Sequence, residues 1–408
     1  MNINDSSQLR QCTSCQMCGA VCPTGAISIK LNENGFYRPV IDEKTCIDCG
    51  LCVKSCYKFD RTIAQSDLSS KKILAAWAND KNIVTETTSG GIADLLAYQL
   101  IKDGYKCIGV TYDNDKNCAI GEVATDENEI LRFRGSKYIQ SLSVNSFKEL
   151  VRNCKKEKFA VFGLPCQIYA IDNFLKTRGV RDNHILIDLY CHGCPSLHVW
   201  TKYINEIMKR VDGKKIISAN FRSKVRGWGN FYVVVVVVEG VKYPIEVVST
   251  RINDGFYELF FSDLVLNDSC SDCQLRSTLE YTDIRLGDFW GKSYVNNHDG
   301  VSGITISTDR GENLVNRIKN RMTIQPQSFS NFLPYQSYGK TYVVNSVKRR
   351  KLLTLLSDDS TSIKDCVSSY HNMLSSKARI KHIAKNMVKL MPNSFISSIK
   401  SIFYSIKG

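Results

Sequence analysis

Cysteine spacing constrains this chain more than any other feature. Cys12, Cys15, Cys18 and Cys22 form C-x2-C-x2-C-x3-C followed by Pro23, and Cys46, Cys49, Cys52 and Cys56 repeat that spacing. Three closely spaced thiolates wrap three irons of a [4Fe-4S] cluster, and the distant fourth cysteine of each run ligates the other cluster. The spacing therefore assigns one cluster to Cys12, Cys15, Cys18 and Cys56 and a second to Cys46, Cys49, Cys52 and Cys22, tying the two half-repeats together. Gly19 and Gly50 read as equivalent positions where a small residue lets backbone amides approach sulfur. Tyr57 stands where Pro23 stands in the first run, a departure that removes no ligand. Paired zinc sites or a disulfide scaffold are the competing readings of such runs.

A length of 408 residues leaves room for about two or three domains. The opening MNINDSSQLRQC lacks the apolar stretch of an export signal, so a cytoplasmic location is expected. No apolar run approaches the roughly 20 residues of a membrane span, and the longest, 231–238, reads as a buried strand. The 17 cysteines, in a chain without an export signal, point to metal or redox work in a reducing compartment rather than to disulfides. The net charge of +14 suits an acidic partner or an anionic membrane surface. Nucleic acid is not expected, because no zinc finger, RNA-recognition signature or basic-aromatic platform accompanies the charge. Nor does any Ser-His-Asp or paired-carboxylate constellation point to hydrolysis.

Beyond Asp60 the pattern turns to alternating strands and helices. Strands are expected at 73–78, 105–112, 159–163, 184–190, 283–289 and 301–307, and helices at 92–102, 165–176 and 195–211. Residues 214–248 read as antiparallel strands carried as an insertion. The fold class is thus an α+β two-cluster domain over residues 1–62, then an α/β domain over 63–345 whose sheet is parallel at least in part, then a basic helical tail over 346–408. Cys166 and Cys191 each follow a predicted strand, where open α/β sheets place their ligands. With the C-x2-C pair Cys270 and Cys273 they suggest a third [4Fe-4S] cluster, while Cys191, Cys194, Cys270 and Cys273 form a rival set with zinc-knuckle spacing. Cys107, Cys118, Cys154 and Cys366 read as small apolar residues.

Several segments together carry a resemblance: TTSGGI at 87–92, RGSKYIQS at 134–141, FGLPCQI at 162–168, CHGCPS at 191–196, FRSKVRGWG at 221–229 and TDIRLGDFWG at 282–291. They resemble the coenzyme F420 hydrogenase/dehydrogenase beta-subunit family, in its form with a fused ferredoxin module, from the N-terminus to about residue 335. The resemblance implies FAD and a domain cluster held by Cys166, Cys191, Cys270 and Cys273. It also implies an oxidoreductase whose organic substrate is a deazaflavin or, as in surface-polysaccharide pathways, a nucleotide- or lipid-linked sugar. Cys194 stands where relatives often carry an aliphatic residue.

For the flavin, Ser89, Gly90 and Gly91 open a helix whose N–H groups and dipole suit a pyrophosphate, although a plain serine cap has the same signature. Lys137, between Gly135-Ser136 and Tyr138, would neutralise a phosphate or reduced flavin, or else is a solvated lysine. Gln167 would bond an isoalloxazine edge, or is a helix-surface residue; Asp288 and Trp290 would close the site or pack the core. His192 beside Cys191 reads as a support for that ligand rather than as a base. The competing function is an electron carrier that docks on a separate catalytic subunit. After Asp365 no acidic residue occurs, while Lys377, Arg379, Lys381, Lys385, Lys389, Lys400 and Lys407 interleave with Ile380, Ile383, Met387, Leu390, Phe395, Ile399 and Phe403. That pattern suits peripheral contact with an anionic membrane, with Pro392 dividing two short helices, or a surface helix packed on the domain.

Overall fold

Strands buried along nearly their whole length need cover on both faces, and Phe159–Phe162, Ile185–Leu189 and Ser302–Ile306 have that character. The computed structural model describes every residue except 62, 212–214, 230, 231, 253, 393, 394, 397 and 403–408. Its strands are β1 (Ile27–Leu31), β2 (Tyr37–Ile41), β3 (Lys72–Ala78), β4 (Lys106–Asp113), β5 (Cys118–Ala124), β6 (Ser141–Leu142) and β7 (Phe159–Phe162). They continue with β8 (Ile185–Leu189), β9 (Ile216–Asn220), β10 (Val235–Val238), β11 (Ile245–Val248), β12 (Ile284–Asp288), β13 (Ser302–Ile306) and β14 (Met322–Pro326). Among the described residues a mixed sheet runs β14-β3-β13-β12-β8-β7-β4-β5-β6. Its centre, β12, β8, β7 and β4, is parallel, so the C-terminal ends of these four strands share one edge. The helix Pro165–Thr177 makes the crossover from β7 to β8.

The expected strands and helices appear within a residue or two, and β9 to β11 form the separate antiparallel sheet anticipated for the insertion. The run 231–238 differs. Only Val235–Val238 joins a ladder, Val233 and Val234 are buried outside it, and Phe231 and Lys214 lie outside the described residues.

In the N-terminal module, Gln16 and Gly50 cap the short helices Met17–Val21 and Leu51–Lys54 with φ of 69° and 74°. Ser14 and Asp48 match in the same way, at φ 62° and 50°. The repeat therefore pairs Gly50 with Gln16, and Gly19 is not its equivalent. Gly19 lies inside the helix, where a Cβ would come 3.2 Å from Ile29 and Val144.

The module does not stand apart from the rest. Cys15, Cys18, Val21 and Tyr57 share one hydrophobic core with Phe147, Ile168 and Leu186 of the larger domain. Gln16 bridges the two, donating from Nε2 to the Ser141 carbonyl at 2.6 Å and accepting at Oε1 from the Ser143 and Val144 amides at 2.7 and 3.1 Å. Gln140 answers from the other side, accepting from the Tyr37 amide at 3.2 Å and donating to the Gly35 carbonyl at 2.8 Å. Tyr57, the departure from the run, has a role here. Its ring is buried under the Arg10 guanidinium, and its hydroxyl accepts from the Gln274 amide at 3.2 Å, next to Cys273. Tyr57→Phe should lower the unfolding free energy of the iron-loaded protein by about 1 kcal/mol, because that amide loses its acceptor. Urea unfolding checks this, with iron content unchanged.

The stretch from residue 346 is not a tail throughout. Helices Ser346–Ser357 and Ile363–Asn372 bury Leu352, Leu356 and Val367 in a core with Trp200 and Phe256. Only with Ser376–Leu390 does a helix begin that has no buried residue. It ends two residues before Pro392, as expected; Phe403 and Lys407 lie outside the described residues. No helix among the described residues is long and apolar enough to cross a membrane.

Candidate iron-sulfur relay and cofactor crevice

Helical caps and strand ends bring the cysteines together in groups. Cys12, Cys15, Cys18 and Cys56 line a single cavity with Ile3 and Met17, the crossed set that the spacing assigns. Burial pushes the Cys15 thiol up to about 11 and Cys18 well above its usual range. Such thiols resist ionisation alone and become thiolates when iron supplies the compensating charge. The second run lies nearer the surface, where Cys49 is exposed and Asn2 Nδ2 donates to Cys46 Sγ at 3.8 Å.

Cys166, at the start of the helix after β7, and Cys191, just past β8, emerge at the shared edge of the parallel strands. Burial raises the Cys166 thiol strongly, and Cys15, Cys191, Cys273 and Cys270 lie close enough to raise it further. Burial likewise pushes Cys191 up to about 12 and Cys270 to about 11. Cys194 lies beside Cys270 and Cys191, and its amide donates to Cys270 Sγ at 3.4 Å. Among the described residues, the one trio of potential ligand atoms within 4.8 Å of one another contains no cysteine. Tetrahedral zinc with about 2.3 Å bonds to sulfur would hold its thiolates roughly 3.8 Å apart. No trio of cysteine sulfurs among the described residues is thus as compact as a zinc site requires.

Arg276 organises this quartet. Its guanidinium donates to the carbonyls of Cys191 at 3.4 Å, His192 at 2.6 Å, Lys340 at 2.8 Å and Cys270 at 2.5 Å. Arg285, fully buried against Asp188, holds the carbonyls of Leu275, Arg276 and Thr278 behind it. Sequence reasoning missed both arginines; the signals were an arginine three residues after Cys273 and a second one, Arg285, between Ile284 and Leu286 of a strand. His192 supports rather than reacts: its ring nitrogens pair with Asp263 at 2.9 Å and the Tyr342 hydroxyl at 3.0 Å.

The segments singled out in sequence converge on a second place at the same end of the sheet. The Ser136 amide donates to Thr88 Oγ1 at 2.8 Å, and Lys224 donates to the Ser89 carbonyl at 2.7 Å. Asp288 accepts from Arg222 at 3.0 Å and from Trp228 Nε1 at 2.9 Å, and Trp290 stacks on Trp228 with centroids 4.4 Å apart. Asp288 and Trp290 thus hold the 221–229 segment.

Not every predicted flavin contact is available there. Ser89 Oγ donates to the Val301 carbonyl at 2.8 Å, and Gly90 donates to Ser302 Oγ at 3.0 Å while accepting from the Ala78 amide at 2.7 Å. Gln167 is buried, and its Oε1 caps its own helix by accepting from the Leu164 amide at 2.9 Å. These three have structural partners that sequence spacing does not reveal. Gly91 caps the helix Ile92–Lys102 at φ 82°, leaving first-turn N–H groups for an anion. Gly135, at φ 79°, has open space where a Cβ would stand. Lys137 Nζ donates to the carbonyls of Arg132, Phe133 and Arg134 at 3.3, 3.1 and 2.9 Å, and burial pushes its pKa down to about 7. Lys137 thus spends its three donors on the end of the preceding helix, as the Ser136 amide is spent on Thr88, and the first-turn amides after Gly91 with the open loop at Gly135 are the parts of the predicted set that remain accessible to an anion.

Comparison with known proteins agrees with the motifs. Residues 73–148 and 156–331 match the N-terminal and C-terminal profiles of the coenzyme F420 hydrogenase/dehydrogenase beta subunit, and residues 11–58 match a 4Fe-4S dicluster domain. The chain belongs to the coenzyme F420 hydrogenase/dehydrogenase beta-subunit family. Relatives in this beta-subunit family include a subunit of the F420H2 dehydrogenase of Methanosarcina mazei, 25% identical over 330 residues that cover 77% of this chain and 84% of that one. The beta subunit of the coenzyme F420 hydrogenase of Methanococcus voltae is 28% identical over 270 residues, 65% of this chain and 86% of that one. Among solved structures, a chain of the F420-reducing [NiFe] hydrogenase complex from Methanosarcina barkeri aligns with 76% of this chain and 94% of its own length, at 17% identity and TM-score 0.45. The protein is an iron–sulfur electron-transfer member of the beta-subunit family, with redox activity as its chemistry.

Proposed function

We propose that this protein is an FAD-dependent oxidoreductase that moves electrons between an organic hydride donor or acceptor and three [4Fe-4S] clusters. The observation that carries the reading is the position of Cys166, whose thiol faces Cys15 of the N-terminal module as well as Cys191, Cys270 and Cys273. A domain cluster on this quartet would adjoin the buried cluster of the module, and the second run, reaching the surface at Cys49, would exchange electrons with a partner. Bound FAD would accept the two electrons of a hydride and release them singly to one-electron clusters. The first-turn amides after Gly91 and the open loop at Gly135 would hold its diphosphate, and Arg276 would fix the quartet's loops.

The test is anaerobic purification with iron and flavin quantification, followed by reduction of viologen dyes with hydride donors including reduced deazaflavin and nucleotide sugars. About twelve irons and about one FAD per chain are expected, four irons for each cysteine quartet. About eight irons with bound zinc would remove the third cluster, and absence of flavin would remove the hydride step. A second reading, a carrier serving a separate catalytic subunit, draws on the relatives' being subunits and on the exposed Cys49. Dye reduction without any partner would count against it.

The helix Ser376–Leu390 supports a peripheral membrane contact, since Ile380, Ile383, Met387 and Leu390 are all at least half exposed among basic residues. Each basic residue near an anionic surface adds about 1 kcal/mol, enough for reversible binding. Sedimentation with anionic liposomes should fall on truncation after Ser375; equal sedimentation of both proteins rules the tail out.

A further inference from the structure

Glu258, His371 and His382 come from three helices, Gly255–Phe260, Ile363–Asn372 and Ser376–Leu390. One ligand atom from each lies within 4.8 Å of the other two. Glu258 Oε2 is 3.4 Å from His371 Nε2 and 3.7 Å from His382 Nδ1. The second distance exceeds a hydrogen bond. Both approach the roughly 3.4 Å that separates nitrogen and oxygen ligands around a tetrahedral zinc with bonds of about 2.0–2.2 Å. All three side chains are at least partly buried, and no part of the iron–sulfur relay uses them.

An independent observation concerns the far side of His382. Asn386 Nδ2 lies 3.0 Å from His382 Nε2, and Asn386 Oδ1 is buried without a hydrogen-bond partner. Oxygen and nitrogen of an amide are assigned by their partners, and with this amide turned over Oδ1 would accept a hydrogen from His382 Nε2. The hydrogen on Nε2 leaves the Nδ1 lone pair free toward Glu258 and His371, as in metal-bound histidines whose other nitrogen donates to a neighbour. Lys389 contacts the other carboxylate oxygen, Oε1, at 3.6 Å, so it supports Glu258 without occupying the space between Oε2 and the histidines.

We infer that Glu258, His371 and His382 form a site for a divalent transition metal of the zinc class, which clamps the C-terminal helix to the domain. A carboxylate and two imidazoles suit zinc and leave one position for water. The clamp has a purpose, because Ser376–Leu390 buries no residue of its own. Binding involves no electron transfer; the ligands bind zinc in their unprotonated forms, and any protons they carry go to solvent.

The experiment uses the full, anaerobically purified, iron-loaded chain, equilibrated with zinc chloride and then desalted. Wild type should retain about one zinc more per chain than the His371→Ala/His382→Ala variant at equal iron content. Equal zinc in both at equal iron overturns the site. Lower iron in that variant would mark a damaged fold, and Asn386→Ala, which removes no ligand, then decides. It should weaken zinc binding in chelator competition by about 10–100-fold, and unchanged affinity overturns the inference. Zinc should also slow tryptic cleavage within 377–389 in wild type; cleavage indifferent to zinc overturns the clamp.

Discussion

Cys166→Ser should strip about four of about twelve irons from each chain, while Cys194→Ser leaves the iron content unchanged. The contrast follows from geometry. Cys166 lies near Cys191, Cys270 and Cys273, whereas Cys194 is placed beside Cys270 and Cys191 with its amide on the Cys270 sulfur. Loss of the middle cluster should also cut flavin-to-module electron transfer. In stopped flow, hydride donors would still bleach flavin while the remaining clusters stay oxidised. Iron analysis with electron paramagnetic resonance of the reduced protein checks both effects. Equal iron loss in the two variants would hand the site to the quartet that contains Cys194.

Gly90→Val should prevent accumulation of folded protein, with a cost above about 3 kcal/mol. A Cβ at Gly90 would stand 2.4 Å from the Ala76 carbonyl oxygen, 2.9 Å from the Ser302 amide and 3.0 Å from Trp77 Cα. All three are backbone atoms at the junction of β3 and β13, so no side chain moves aside to relieve them. The glycine belongs to packing of the loop on the sheet, and its replacement reads stability before it reads flavin. Gly135→Ala separates the two, since open space surrounds its Cβ and only the positive φ costs about 1 kcal/mol. Reduced flavin retention in folded Gly135→Ala protein, with normal iron, would locate the diphosphate. Soluble yield and thermal unfolding of Gly90→Val, with and without added FAD, complete the comparison.

Much of the fold was legible because its signals are local. The apolar run at 159–163, the Pro165 helix start and the next apolar run define β7, its crossover and β8 with little outside help. The two cysteine runs were legible for the same reason, since their spacing alone points to the 4Fe-4S dicluster domain that residues 11–58 match. What escaped depends on partners distant in sequence. Gln16 and Tyr57 look ordinary until Ser143 and Gln274 arrive beside them. Arg276 gains its meaning only from carbonyls on three separate segments. The equivalence of Gly19 with Gly50 failed because counting residue types ignored where the chain must turn left-handed, which is at Gln16 and Gly50. Gln167 misled because capping its own helix and reaching a cofactor look alike in sequence.

The common core of the cysteine module and the larger domain bears on how the chain matures in a cell. Cys15 and Cys18 pack in the same apolar interior as Phe147, Ile168 and Leu186. A nascent chain would therefore close this interior only around thiols already given their iron, so delivery of inorganic sulfide and iron becomes a step of folding itself. Under iron starvation the whole polypeptide, and not the module alone, should turn into a substrate for quality-control proteases. Pulse-chase labelling in iron-limited cells would register a half-life shortened along the entire chain; survival of a stable fragment beginning near residue 63 would show that the larger domain matures alone.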